Sequence, residues 1–149
     1  MILSQTAVYA LRATLCLAGH GPAARVRVDD IAEQLSVPRN YLSKILHALA
    51  RAGVLTSSRG PGGGFQLARP ARELMLSEVV EQFDELPEES GCLLGRAVCS
   101  DRDPCAAHHR WKDVSLSVKE FFRETSIGDL SPDGAALFTP IEHTGTPED

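Results

Sequence analysis

A chain of 149 residues with 43% hydrophobic content is long enough for one domain with a real core, or a small domain with an appendage. No apolar run approaches the roughly 18 residues that a bilayer span requires. The first eleven residues carry no positive side chain and Tyr9, Arg12 and Thr14 interrupt the apolar stretch, which argues against a secretory leader. The expected location is therefore the cytoplasm, away from membranes, where thiols stay reduced and clustered cysteines favour metal or redox chemistry over a disulfide framework.

The net charge of −5 speaks against nucleic acid only until it is divided along the chain. Residues 1–72 hold nine basic and three acidic side chains, and residues 73–149 hold six and seventeen. Between Gln34 and Arg72 there are six basic residues and no acidic one. A charge run is often only a solvated face, but a chain split this way can also present a basic surface while staying acidic overall. The motifs have to decide.

Residues 4–19 read as a first helix, with Val8, Leu11, Leu15 and Ala18 at helical spacing and Gly19 to Pro22 ending it. Cys16 falls among these apolar positions and reads as a small core residue. Val26 to Val28 is a short extended run. Asp29 and Asp30 then place negative charge in the first turn of a short helix through Gln34. Ser36-Val37 makes a tight turn, and Pro38 suits the first turn of the next helix, 38–52. That helix carries Leu42, Ile45, Leu46 and Leu49 as an i, i+3, i+4, i+7 stripe, and Gly53 ends it. A short helix, a turn and a longer helix form a helix-turn-helix unit.

Residues 54–57 and 65–67 read as strands joined by Ser58-Arg59-Gly60-Pro61-Gly62-Gly63-Gly64. No Gly-Lys-Ser/Thr follows and no helix begins there, so a phosphate-binding P-loop is a poor reading. Directly after the second helix, the hairpin reads better as a wing than as a mere flexible turn. Arg59 would reach the minor groove or the backbone, with Gly60 allowing close approach. A helix follows over 77–83, with Ser77 as its N-cap, and then an acidic linker.

Cys92-x6-Cys99-x5-Cys105-x2-His108 is the most chemically loaded stretch of the chain. Asp103 suits an N-cap and Pro104 the first position of a helix running to about Glu124. On that helix Cys105 and His108, three residues apart, would share a face, and the helix N-terminus would favour a thiolate at Cys105. Trp111, Val114, Val118, Phe121 and Phe122 give the helix an apolar face large enough to predict packing in a homodimer. Domain by domain, residues 1–84 are expected to form a winged helix-turn-helix unit and 85–105 a linker and cysteine loop. Residues 106–126 are expected to form a dimerisation helix, and 127–149 a disordered tail rich in Gly, Pro, Thr and acids. The fold class is mainly α with a small β-hairpin.

The segments MILSQTAVYALRA, VDDIAEQLSVPRNYLSKILHALARAGVLTSSRGPGGGFQLAR and HHRWKDV, taken with the cysteine loop, resemble the bacterial IscR/NsrR-type winged-helix regulators over roughly residues 1–130. The resemblance implies a dimeric transcriptional regulator of double-stranded DNA. The 38–52 helix would lie in the major groove, the wing at the minor groove, and the C-terminal helix would cross to the partner subunit. Base reading then falls to Arg39, Asn40 and Ser43, with Tyr41 and Lys44 near the DNA backbone and Arg59 and Gly60 in the wing. Two-fold symmetry implies an inverted-repeat operator.

Several members carry an iron–sulfur cluster, mostly 2Fe–2S, on three cysteines of this loop, which implies Cys92, Cys99 and Cys105. The Cys92–Cys99 spacing is one residue longer than in the cluster-binding regulators. Val8 stands where nitric-oxide sensors of the group place an acidic ligand, so the fourth ligand is expected to be His108, with His109, Asp101 and Asp103 as substitutes. Three cysteines and one other donor suit either 2Fe–2S or 4Fe–4S, and the signal would be cluster status, redox state or nitric oxide. Zinc on the same set of three cysteines and a histidine, or no metal with a response to thiol oxidation or a small molecule, is the competing reading. A winged-helix interaction protein that does not bind DNA is a further alternative. Enzyme motifs are missing: there is no Cys-x-x-Cys, nucleophile elbow or dinucleotide fingerprint, and the chain is not expected to be an enzyme.

Overall fold

The computed structural model describes residues 2–86 and 91–131. Helix α1 (Gln5–Gly19) starts where the Ser4 hydroxyl accepts the Ala7 N–H at 3.1 Å. Its buried face is Ala7, Ala10, Ala13, Thr14 and Leu17, with Leu15 beside it. Val8, Leu11 and Ala18, expected on the apolar stripe, are only half-buried. Small residues set the facing surface instead, which lets other helices approach closely. Cys16 is half-buried at the flank, its Sγ 2.9 Å from Gln34 Oε1, and burial raises its thiol pKa.

Helix α2 (Val28–Leu35) ends at Ser36, which adopts the left-handed conformation at φ 54°. Helix α3 (Arg39–Arg51) begins after Pro38, which serves as N-cap residue rather than as part of the first turn. Leu42, Ile45, Leu46 and Leu49 are buried to 2% exposure or less. At about 1.5–3 kcal/mol for each fully buried side chain, this stripe is a main source of the adhesion between α3, α1 and α2.

Strands β1 (Leu55–Ser58) and β2 (Gly64–Leu67) form an antiparallel hairpin with Leu55 opposite Leu67 and Ser58 opposite Gly64. The extended residue Val26 adds a bridge to Phe65, with N···O distances of 2.9 and 2.8 Å. Gly64 makes this possible: at φ +151°, a Cβ there would fall 2.6 Å from the Val26 carbonyl oxygen.

A 3-10 turn over Ala71–Glu73 leads into α4 (Leu76–Val80). Ser77 does not cap this helix. It lies inside it at 7% exposure, and the Glu78 carboxylate accepts the Met75 N–H at 2.9 Å instead. Residues 87–90, within the expected acidic linker, lie outside the described residues.

Helix α5 (His108–Glu124) begins later than Asp103-Pro104 suggested, because Cys105–Ala107 form a separate turn closed by His108 N–H to Cys105 O at 3.1 Å. Residues 127–130, assigned to the tail from sequence, form a short helix α6 (Ile127–Leu130). Ser126 and Asp129 cap it reciprocally, and Ile127 is fully buried. The rest of the expected tail, 132–149, lies outside the described residues. The foot of α5 is stitched to the head of α4 by the Met75–Ser126 bridge, with Leu76 N to Thr125 O at 2.9 Å and Ile127 N to Leu74 O at 2.7 Å. Helix α1 packs against α2, α3, α4, α6 and β2, so it is the element around which the others gather. Among the described residues, no helix is long and apolar enough to cross a membrane.

Candidate nucleic-acid interface and cysteine centre

Burying the leucine stripe of α3 turns the opposite face outward. Asn40, Lys44, His47 and Arg51 are all exposed and recur at i, i+4, i+7 and i+11. Arg39 is exposed beside them and forms an ion pair with Asp29 of α2, while Ser43 is half-buried. Tyr41, expected near a DNA backbone, is turned the other way. Its hydroxyl is hydrogen-bonded to Thr6 and its ring meets the edge of Tyr9 at 5.8 Å, because position 41 flanks the buried stripe. Its work here is to seat α3 on α1.

His47 and Arg51 were not singled out in the sequence, although the polar stripe complementary to Leu42 and Leu49 already implied them. His47 also lies edge-on to Phe65 at 5.3 Å, which joins the outward face of α3 to the wing. At the wing tip Arg59 is exposed and Gly60 has φ +83°, closing a turn in which Gly63 N–H donates to Gly60 O at 2.9 Å. A Cβ on Gly63 would fall 2.5 Å from the Ser58 carbonyl oxygen, so the tip is tight rather than loose.

The cysteine loop folds against the head of α5 and sorts its four donors into two pairs. Cys92 Sγ lies 3.5 Å from Cys105 Sγ, and Cys99 Sγ lies 3.2 Å from His108 Nδ1. Cys105 lies just before the helix, so it shares no helix face with His108. The turn brings Cys105 to Cys92 instead. Trp111 Nε1–H reaches the Gly91 carbonyl at 3.4 Å, and Arg96 donates to the Asp103 carbonyl at 2.7 Å, holding both limbs of the loop.

Backbone N–H groups of Arg96 and Leu94 lower the Cys92 thiol pKa, and the Cys105 contact adds to the effect. His108 is 3% exposed, and its Nε2 lies 2.7 Å from Asp101 Oδ1. The hydrogen bonds from His108 and Lys112 hold the Asp101 carboxyl down at about 2. Among the described residues no three His, Cys, Asp or Glu side chains surround one point in the manner of a single-ion site.

A tetrahedral metal holds two thiolates at about 2.3 Å each, hence roughly 3.7 Å from one another. The Cys92–Cys105 spacing therefore suits two thiolates on one metal, and three thiols with an imidazole are donors that iron–sulfur clusters and zinc both accept. The ring at Asp101 is oriented but the loop is exposed, with Leu93, Leu94 and Val98 all more than half accessible.

A helix-turn-helix followed by a glycine-tipped hairpin, with a long helix stitched to its side, defines a winged-helix transcriptional regulator. The family model described as "Rrf2: Iron-dependent Transcriptional regulator" matches residues 3–133. The chain belongs to the Rrf2 family. It is 36% identical over 132 residues to a "Putative HTH-type transcriptional regulator" of Aquifex aeolicus (strain VF5), covering 87% of this chain and 91% of that one. It is 32% identical over 137 residues to the HTH-type transcriptional regulator IscR of Vibrio atlanticus (strain LGP32), covering 92% and 79%.

Among solved structures, CymR, the global cysteine regulator of B. subtilis, superposes with a TM-score of 0.75 at 20% identity, covering 89% of this chain and 97% of that one. T. potens IscR superposes with a TM-score of 0.72 at 24% identity, covering 91% and 89%. The family and these curated relatives are transcriptional regulators, and as a member of the family this chain is a regulator rather than an enzyme.

Proposed function

We propose that this regulator binds an inverted-repeat operator as a homodimer and that the Cys92, Cys99, Cys105 and His108 loop carries a 2Fe–2S cluster. The observation that carries the reading is the pairing of the four donors at the head of α5, a helix whose foot is bonded to the DNA-binding unit. When bound, such a cluster supplies sensitivity to iron supply, redox state or nitric oxide.

The protein's own residues do the rest. The loop over 91–105 is fixed against His108 and Trp111 when its donors are engaged, and α5 carries that constraint to Met75, α4 and α1. Release of the loop shifts the population of dimers competent for DNA.

Dimerisation is supported by what α5 leaves uncovered. Of its expected core residues, Phe122 is buried at 6% exposure, whereas Val114 and Phe121, seven residues apart on one face, are 54% and 52% exposed. An apolar face of this kind on a helix at the molecular edge suits a second copy. At the DNA, Arg39, Asn40 and Ser43 read bases, Lys44 and Arg59 bind phosphates, and Gly60 lets the wing approach.

One observation favours a second reading, in which thiol oxidation is the signal. Cys92 and Cys105 are 3.5 Å apart, and Cys92 is the thiol whose pKa is lowered. Anaerobic purification with metal analysis and a visible spectrum separates the two. Iron, acid-labile sulfide and a visible charge-transfer band support the cluster. A colourless protein that cannot be reconstituted, or one that holds zinc, overturns it.

A further inference from the structure

We infer that Asp101 is a positioning residue for His108: its carboxylate accepts a hydrogen bond from Nε2–H, which leaves the Nδ1 lone pair free as the metal-facing donor. The inference rests on the cluster reading above and assigns the atom through which His108 would bind. Sequence alone placed Asp101 among the substitutes for the fourth ligand. The structure gives it an outer place instead, since its oxygens already face His108 Nε2 at 2.7 Å and Lys112 Nζ at 3.0 Å each.

A neutral imidazole has two tautomers, and only the nitrogen without a proton can ligate. Here the two ring nitrogens meet different partners. Nε2 meets a carboxylate that can only accept, and Nδ1 meets the sulfur of Cys99 at 3.2 Å. The ring is almost wholly buried at 3% exposure, so little water competes for either nitrogen. Its edge contact with His109, at 5.1 Å and 81°, further restricts rotation. Lys112 lies one turn after His108 on α5 and holds both oxygens of Asp101, so the carboxylate is clamped by the helix that carries the histidine. A carboxylate in this place orients a ligating histidine and raises its basicity, and losing it weakens metal retention by roughly 10–100-fold.

The test uses the full chain in two states. In metal-free protein, nitrogen-15 NMR of the ring, assigned by comparison with His108→Gln, reads the tautomer directly. In protein reconstituted anaerobically with ferric iron and sulfide, then reduced by one electron, the hyperfine coupling of the ring nitrogen reads ligation. Wild type is expected to carry the proton on Nε2. Asp101→Ala should give a mixture of tautomers and lose the ring-nitrogen coupling, with iron retained more weakly. Asp101→Asn, whose amide oxygen can accept the same hydrogen bond, should restore both signals. This rescue separates positioning from a general loosening of the loop.

A metal-free wild type protonated at Nδ1 would overturn the inference, as would an Asp101→Ala variant with wild-type tautomer and coupling. A wild type that takes up no iron would overturn the cluster reading by itself, while the metal-free ring measurement still decides the contact between Asp101 and His108.

Discussion

Met75 and Ser126 pair through their backbones, joining the N-cap residue of α4 to the N-cap residue of α6, two residues beyond the end of α5. The flanking bonds, Leu76 N to Thr125 O and Ile127 N to Leu74 O, make this a short ladder rather than a single contact. Helix α5 therefore has the cysteine loop packed at its His108 end and a fixed attachment to the DNA-binding unit at the other. A seventeen-residue helix is about 25 Å long and stiff, so a change at His108 can be delivered to α4 without a separate linker.

Arg59→Ala should weaken DNA binding across sequences and reduce the slope of log affinity against log salt by about 1, as expected for one lost phosphate contact. Fluorescence anisotropy over a salt series measures both. Unchanged affinity and slope would remove the wing tip from the interface.

Asn40→Ala should act differently. If Asn40 reads a base edge, the loss should be about 1–3 kcal/mol on the preferred operator and much smaller on unrelated DNA. Equal losses on both would make it a backbone contact.

Gly64→Ala should damage the wing through its base. The added methyl would fall 2.6 Å from the Val26 carbonyl oxygen, at a backbone φ of +151° that side chains rarely adopt. Amide hydrogen exchange should rise at Phe65 and Val26 while α3 stays protected, and DNA affinity should drop. Retained protection at Val26 would contradict the close packing of that strand.

Cys99→Ala should abolish cluster loading yet leave the melting transition of the metal-free protein close to wild type, because Cys99 is exposed and lies outside the leucine core. Leu46→Ala, fully buried in that core, should instead cost about 2–5 kcal/mol. A collapse of the Cys99 variant comparable to that of Leu46→Ala would point to a structural metal.

Asp129 gives a pH signature at the foot of α5. The Ser126 backbone N–H, and then its hydroxyl, lower the Asp129 pKa in the folded chain. Its contribution is therefore present above the unfolded carboxyl pKa of about 3.9 and is lost as the pH falls through the lower folded value. Thermal melts of wild type and Asp129→Asn should converge as the pH is lowered past that range. Parallel curves at every pH would remove this contribution.

Much of this was legible in the chain because local signals and tertiary packing agree there. The Leu42–Leu49 stripe and the glycine-tipped hairpin each use a residue type that the local geometry demands. Legibility failed where a tertiary contact outcompetes a local rule. Asp103-Pro104 is a good helix start, but Arg96 engages Asp103, and the turn at Cys105–Ala107 brings Cys105 to Cys92 before α5 begins. Ser77 is a good cap, yet Glu78 reaches Met75 first. In α1, alanines at 7, 10 and 13 carry the contact face, a pattern that hydrophobicity alone underweights. The pairing of the loop donors could not be read from spacing, because it depends on how the chain from Cys92 to Cys105 folds back on Trp111 and His108.

The most direct measurement is a DNA-binding titration of cluster-loaded and cluster-free protein against the same operator at one fixed salt concentration. Coupling through α5 predicts separate isotherms, with Cys99→Ala following the cluster-free curve whatever the iron supplied. Coincident isotherms on every operator tried would show that the cysteine loop does not control the DNA-binding face.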